Sequence, residues 1–175
     1  MTFFRYCPHC GHALVPNHSV AEANRQDCPG CGRSHFHNSR PTASALIVQD
    51  GRVLLGRRAV EPFRGMWDVP GGFLSPMEHP EAGVVREILE ETGLEIRPRE
   101  LLGIFPDAYG ESDDGVYTLN LYYLVDVVSG EPQPADDVAE LRWFAPDELP
   151  AMAFAHQEQV LARWRERVAR EEKVE

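Results

Sequence analysis

Three carboxylates crowd one short stretch of this chain. The segment GGFLSPMEHPEAGVVREILEETGL, Gly71 to Leu94, carries five glutamates and a single basic residue, Arg86. Wound as a helix at about 100° per residue, Glu87, Glu90 and Glu91 share an arc of about 100°. Val84, Val85, Ile88, Leu89 and Thr92 fall roughly opposite, so one face is apolar and the other acidic. Like charges on adjacent turns repel, and acids in the C-terminal half of a helix oppose its dipole. A solvated surface helix is the plain alternative, but a stabilising design would place lysines there. A hard divalent cation with oxygen ligands removes the conflict. Arg86 sits at the border of the acidic arc, within reach of Glu90 and of Glu78 before the helix.

A second set of chemically capable residues lies near the N-terminus. All four cysteines fall within the first 31 residues, as CPHCG (Cys7, Cys10) and CPGCG (Cys28, Cys31). Two C-x2-C pairs at this separation can close a tetrahedral thiolate site, and zinc is the metal expected there. With four thiolate ligands that zinc is structural and has no open position. Two disulfides are the alternative, and His9, His12, His35 and His37 are substitute ligands of lower rank.

The elements that must position these groups follow from pattern. Residues 1–36 form the cysteine module, and residues 37–175 form the second domain. From Thr42, TASALIVQDGRVLLGRR reads as a hairpin with Gln49-Asp50-Gly51 as its turn, Asp-Gly between apolar runs being the signal. A short strand is expected near Trp67 to Val69. Pro80 suits the first helical position, Glu81 the first turn and Gly93 the C-cap. LLGIFPD and VYTLNLYYLVDVV read as strands, LRWFAPDELP as a short strand and turn, and the segment from His156 as a helix. The class is α/β, a mixed sheet with helices on its faces.

Composition narrows the function. A net charge of −11 opposes broad nucleic-acid binding. The apolar runs are far too short for a membrane span, no signal peptide is visible, and the cytoplasm is the expected location.

Gly72, Glu78, Arg86-Glu87-Ile88, Glu90-Glu91 and Gly93-Leu94 together match the G-x5-E-x7-REU-x-EE-x-G-U signature, so the segment resembles a complete Nudix box. LLGRR and GMWDVPGG upstream and RWFAPDELP downstream are similar to segments of that family. The likeness covers most of residues 42–150. It implies an α/β/α sandwich with a mixed sheet, preceded here by a small zinc ribbon. It also implies Mg²⁺ or Mn²⁺ on Glu87, Glu90, Glu91 and the backbone carbonyl of Gly71, with Glu78 and Arg86 bracing loop to helix. The implied reaction is hydrolysis of a nucleoside diphosphate derivative to a nucleoside monophosphate and phosphorylated X. The general base varies within the family: Glu87, Glu91, or a later acid such as Glu140, Asp113 or Asp114. Ser75, Met77 and His79 depart from common choices, and Gly83 inside the helix costs about 1 kcal/mol against alanine.

A ribbon ahead of such a domain resembles either NADH pyrophosphatases or shorter proteins acting on ADP-ribose-like substrates. The SQPWPFP-like hallmark of the first group is missing, and ADP-ribose-like substrates are the preferred class. NAD(H) pyrophosphatase is the alternative. A nucleotide-sensing protein that uses its ribbon for partner binding is the non-enzymatic one, and a triphosphate-sanitising pyrophosphatase ranks lower. Arg57, Arg58 and Arg64 are candidates for phosphate contact, and Phe63 and Tyr109 for stacking on a base. Trp67 and Phe105 rank lower for stacking, and Trp143 and Phe144 read as packing residues. A homodimer is implied only by family resemblance.

Overall fold

The computed structural model describes residues 3–16, 23–110 and 116–171. It divides into two compact units, Met1–Ser39 and Arg40–Glu175. Asp113 and Asp114 lie outside the described residues.

The first unit is a three-stranded antiparallel sheet, β1 (Val15–Pro16), β2 (Arg25–Asp27) and β3 (Ser34–Phe36), in that order. Its core is Cys7, Leu14 and Cys28, too little apolar surface to hold so short a segment without a staple. The buried Gln26 ties the segment at Phe3 and Phe4 in. Its Oε1 accepts from the Phe3 and Phe4 amides at 3.0 and 2.8 Å, and its Nε2 donates to the Phe4 carbonyl at 2.9 Å.

The second unit is built on strands β4 (Arg40–Gln49), β5 (Arg52–Arg58), β9 (Tyr117–Ser129), β8 (Glu95–Ala108) and β10 (Val138–Phe144). Their order is β10-β5-β4-β9-β8, with β6 (Trp67–Asp68) added to β5 and β7 (Gly71–Phe73) to β4. Among the described strands only β4 and β9 pair in parallel, so the sheet is mixed. Residues 42–47 of β4 are all buried, as a central strand covered on both faces must be. Ala43, Ala45 and Ile47 pack with Val84 and Ile88 of α1 (Pro80–Thr92). Leu46 packs with Val160, Leu161 and Trp164 of α2 (Ala155–Glu171). The result is helix, sheet, helix, as the sequence pattern indicates.

The Asp50-Gly51 turn has φ of 50° and 71°, the conformation a two-residue hairpin needs. Helix α1 begins after the N-cap His79, whose Nδ1 accepts from the Glu81 amide at 3.3 Å, so histidine does the capping work more often done by a hydroxyl. Gly83 has a packing reason. A Cβ there would sit 2.2 Å from Leu74 Cδ2, so the helix could not lie this close to the preceding loop. Met77 adopts φ 66°, the left-handed region that glycine prefers.

One strand departs from expectation. β8 starts at Glu95, several residues before LLGIFPD. The EIRPRE run, charged and holding Pro98, gives no strand signal of its own, but β8 is the sheet's edge, where proline loses no ladder bond. Its register shifts near residues 95, 98 and 101 mark bulges that absorb the irregularity. Among the described residues no helix is long and apolar enough to cross a membrane.

Candidate functional site

At one end of the second unit, β4, β5, β7 and β9 and the faces of α1 and α2 enclose a cavity of about 250 Å³. Among the described residues five carboxyl groups line it: Asp68, Glu87, Glu91, Asp136 and Asp137. Arg58 is the single Arg or Lys among the described lining residues. Arg58 pairs with Asp68, and Arg86 reaches Glu87 from outside the lining, so the carboxyl groups still outnumber the cations beside them.

The acidic face of α1 is not uniform. Glu91 is 5% exposed, and its Oε2 accepts the Gly71 amide at 2.9 Å. Burial, then the charge of Asp137, pushes its carboxyl up to about 10. Glu87 also lines the cavity, and burial raises its carboxyl above the ordinary value although Arg86 opposes the shift. Glu90 is half exposed, is not among the lining residues and pairs with Arg86 at 3.0 Å. Among the described residues only the four cysteines converge tightly on one point, and the carboxylates are spread more widely.

Arg86 is the hub. Its Nε and Nη2 donate to the two oxygens of Glu78 at 2.8 Å each, a bidentate pair. Its Nη1 donates to Glu87 at 2.8 Å, and Nη2 also reaches the Phe73 carbonyl at 3.2 Å. The Arg86 guanidinium and the Ser75 amide hold Glu78 down to about 2. Helix, preceding loop and β7 are thereby locked into one unit. A Cβ on Gly72 would lie 2.5 Å from the Glu87 carboxyl carbon, so the strand approaches that carboxylate as closely as a backbone can.

The donor set fits a hard divalent cation. Buried Glu91 cannot ionise beside Asp137 without positive charge, and oxygens are the ligands such cations take. Gly71 lines the same cavity.

The sequence reading missed Asp136 and Asp137. They sit in the loop before β10, which is strapped to the end of α1 by Gln133 and Ala135 amides donating to the Thr92 and Glu91 carbonyls at 2.9 and 3.0 Å. Asp136 has φ 53°. The adjacent acids in GEPQPADDVAE were the available signal. The acid singled out there, Glu140, lies elsewhere: it pairs with Arg57 at 3.5 Å and Arg142 at 2.5 Å and is not a cavity residue.

The other candidates separate in the same way. Arg57 donates to the Gly65 carbonyl at 3.0 Å, Arg64 is exposed, and neither lines the cavity. Phe63, φ 63°, packs its ring edge-on against Phe154 behind the cavity wall. Trp67 packs on Phe144, and Phe105 on Tyr122 in the core. Arg58 and Tyr109 do line the cavity. Tyr109 stacks on Phe154 at 5.5 Å and meets Phe73 edge-on, forming an aromatic wall. Arg58 lies over Phe154 and pairs with Asp68 at 2.6 Å.

A buried hydrogen-bond chain supports the floor. Asp107 accepts from His156 Nδ1 at 2.6 Å, which leaves Nε2 as the acceptor for the Tyr122 hydroxyl at 2.7 Å. The Tyr122 oxygen then accepts from Gln157 Nε2 at 3.2 Å, and Gln157 also donates to Asp68. Hydrogen bonds from His156 and the Ala108 amide outweigh burial and hold the Asp107 carboxyl below its ordinary value.

In the first unit the four cysteines are free thiols rather than disulfides. Cys10 and Cys28 sulfurs are 3.4 Å apart and Cys7 and Cys31 sulfurs 3.8 Å, and all four lie within 4.8 Å of one another. A zinc–sulfur bond of about 2.3 Å gives a tetrahedron edge of about 3.8 Å, so the set fits that metal.

A model of the NUDIX domain matches residues 38–164. The ADP-ribose pyrophosphatase of Methanocaldococcus jannaschii is 35% identical over 122 residues, 69% of this chain and 71% of that one. The NAD-capped RNA hydrolase NudC of Stutzerimonas stutzeri is 30% identical over 154 residues, 85% of this chain and 50% of that one. This chain therefore spans about half the length of the NAD-capped RNA hydrolases it matches. Among solved structures, a NUDIX hydrolase from Nitrosomonas europaea aligns with a TM-score of 0.73 at 25% identity, covering 87% of this chain and 85% of that one. An ADP-ribose pyrophosphatase from Streptococcus suis aligns at 0.60 and 25%, covering 75% and 92%.

Proposed function

We propose, from the premise that this chain belongs to the Nudix family, that it is a Mg²⁺- or Mn²⁺-dependent hydrolase of ADP-ribose-like nucleoside diphosphate derivatives. The observation that carries the reading is the buried Glu91 beside the half-buried, repelling Asp137, in a cavity lined among the described residues by five carboxyl groups and one guanidinium.

Glu87, Glu91 and the Gly71 carbonyl are the residues that would hold the metal inside the cavity, with Glu90 at its outer edge. Bound there, a divalent cation neutralises diphosphate charge and makes water a better nucleophile. Arg86 and Glu78 fix the helix against the loop, so the carboxylates keep their positions. Asp137, which was not among the candidate bases Glu87, Glu91, Glu140, Asp113 and Asp114 read from the sequence, accepts the proton of the attacking water at its carboxylate. The new P–O bond forms as the bridging P–O bond breaks, and the leaving phosphate takes the electron pair. Arg58 offers its remaining N–H groups to phosphate oxygens. The Tyr109–Phe154 wall takes the face of the base. The four cysteines hold a structural zinc, and residues 1–36 act as a ribbon ahead of the catalytic domain.

NAD(H) hydrolysis is the second reading, and one observation favours it. The match to the NAD-capped RNA hydrolases is longer than residues 38–175, so it reaches back into the ribbon. A purely nucleotide-sensing role is opposed by the intact acidic face. The test is a panel of ADP-ribose, NADH, FAD, diadenosine polyphosphates, UDP-sugars and dNTPs with Mg²⁺. AMP plus ribose 5-phosphate should be the preferred outcome. Turnover of triphosphates alone would reject the substrate class.

A further inference from the structure

The two cysteine turns of the first unit are near copies. In each, the first cysteine's amide donates to a carbonyl five residues on: Cys7 to His12 at 2.8 Å and Cys28 to Arg33 at 2.9 Å. In each, the following glycine amide donates back to that cysteine, Gly11 to Cys7 and Gly32 to Cys28, both at 2.9 Å. Backbone amides meet the sulfurs in matching fashion: His9 and Cys10 at Cys7, Gly30 and Cys31 at Cys28, His12 at Cys10, Arg33 at Cys31.

Written as CPHCGH and CPGCGR, the copies differ at two positions, His9 against Gly30 and His12 against Arg33. Two of those four residues are in contact. A Cβ on Gly30 would lie 2.4 Å from His12 Cγ and 2.5 Å from its Nδ1. The His12 ring thus crosses from the first turn onto the second, and glycine at position 30 makes room for it. From there its Nδ1 lies 3.7 Å from Cys10 Sγ. Strand pairing sets His35 opposite the buried Gln26, and its Nε2 lies 3.3 Å from Cys7 Sγ.

Four thiolates around a divalent metal leave two uncompensated negative charges. Donors to the sulfurs share that charge and orient the ligands. The four sulfurs already supply the full ligand count of such a site, all within 4.8 Å of one another, and each imidazole touches one of them.

We propose that His35 and His12 are outer N–H donors of the ribbon's metal site, one to Cys7 and one to Cys10, which tighten zinc binding without ligating the metal. The proposal rests on the zinc reading of the four cysteines. Its consequence is that the first turn is the more firmly held half of the site.

The test measures zinc affinity of the full chain by competition with a chromogenic chelator. His35→Ala should weaken zinc binding by about tenfold or more, the range seen when such outer partners are lost. His35→Gln keeps an N–H donor and should recover most of that loss. His12→Ala should act in the same direction, more weakly at its longer distance. Gly30→Ala should reproduce the His12→Ala effect by displacing the ring, and the double variant should add nothing further. His9→Ala, exposed in the first turn, should match the wild type. Cobalt substitution should give an all-sulfur tetrahedral spectrum in every variant. Wild-type affinity in both His35→Ala and His12→Ala would overturn the proposal, as would a nitrogen ligand in the wild-type cobalt spectrum. A wild-type chain that takes up no zinc would instead defeat the zinc reading beneath it.

Discussion

Replacing Gly72 by alanine separates a catalytic carboxylate from a structural one. The added Cβ would lie 2.5 Å from Glu87 Cδ and 2.6 and 2.7 Å from its two oxygens. Ordinary contacts of this kind need about 3.5 Å, so the carboxylate must retreat by close to 1 Å. It is the far end of a flexible side chain, which lets it move while the fold stays intact. The stability cost should therefore stay under about 1 kcal/mol, a few degrees in Tm. Catalysis tolerates such movement poorly: a 1 Å misplacement costs about 100-fold, or about 2.7 kcal/mol in the barrier. The assay is kcat and KM for Mg²⁺-dependent hydrolysis of ADP-ribose beside a thermal melt. A kcat about 100-fold down at nearly constant Tm is expected. Adding Glu87→Gln to Gly72→Ala should lower kcat little further, since both act on one carboxylate. A kcat within twofold of the wild type would refute the reasoning, and so would a melt lowered enough to explain the loss by unfolding.

Asp137→Asn should lower kcat by 100-fold or more, the usual worth of a general base, while Glu140→Gln should leave it within twofold; equal effects would reverse the assignment. Tyr109→Ala should raise KM about three- to tenfold with little change in kcat, because stacking contributes about 0.5–1.5 kcal/mol to binding. Asp107→Asn should cost about 1.5–3 kcal/mol at neutral pH by removing a charge-assisted hydrogen bond to buried His156. The Asp107 carboxyl is depressed in the fold, so its stabilisation is full above its unfolded value of 3.8 and disappears as pH falls through the folded one. Melts of wild type and variant should accordingly converge below pH 4, and parallel curves would contradict this.

Much of the scaffold was legible because local and global signals agree. The Asp50-Gly51 turn, the Pro80 start and Gly93 stop of α1, and the alternation along β9 each follow from short-range chemistry. The first half of β8 was not legible, since Pro98 and charged neighbours give no strand signal unless the strand is known to lie at an edge. For the site, periodicity found the acidic face but could not rank its members. Glu87 and Glu91 line the cavity and Glu90 does not, because β7 and the 133–137 loop close over one side of α1 only. Asp68, Asp107, His156 and Gln157 join through contacts 34 to 89 residues apart in sequence, which no local pattern encodes.

The most direct measurement is the rate of ADP-ribose hydrolysis by wild type and Glu91→Gln across a Mg²⁺ titration, with products identified as AMP and ribose 5-phosphate. The expected result is no turnover without the metal, and a variant slower by at least 100-fold at saturating Mg²⁺ with its melting temperature preserved or raised, since the buried acid is removed. Metal-independent hydrolysis, or a Glu91→Gln variant as fast as the wild type, would contradict a metal site on this face.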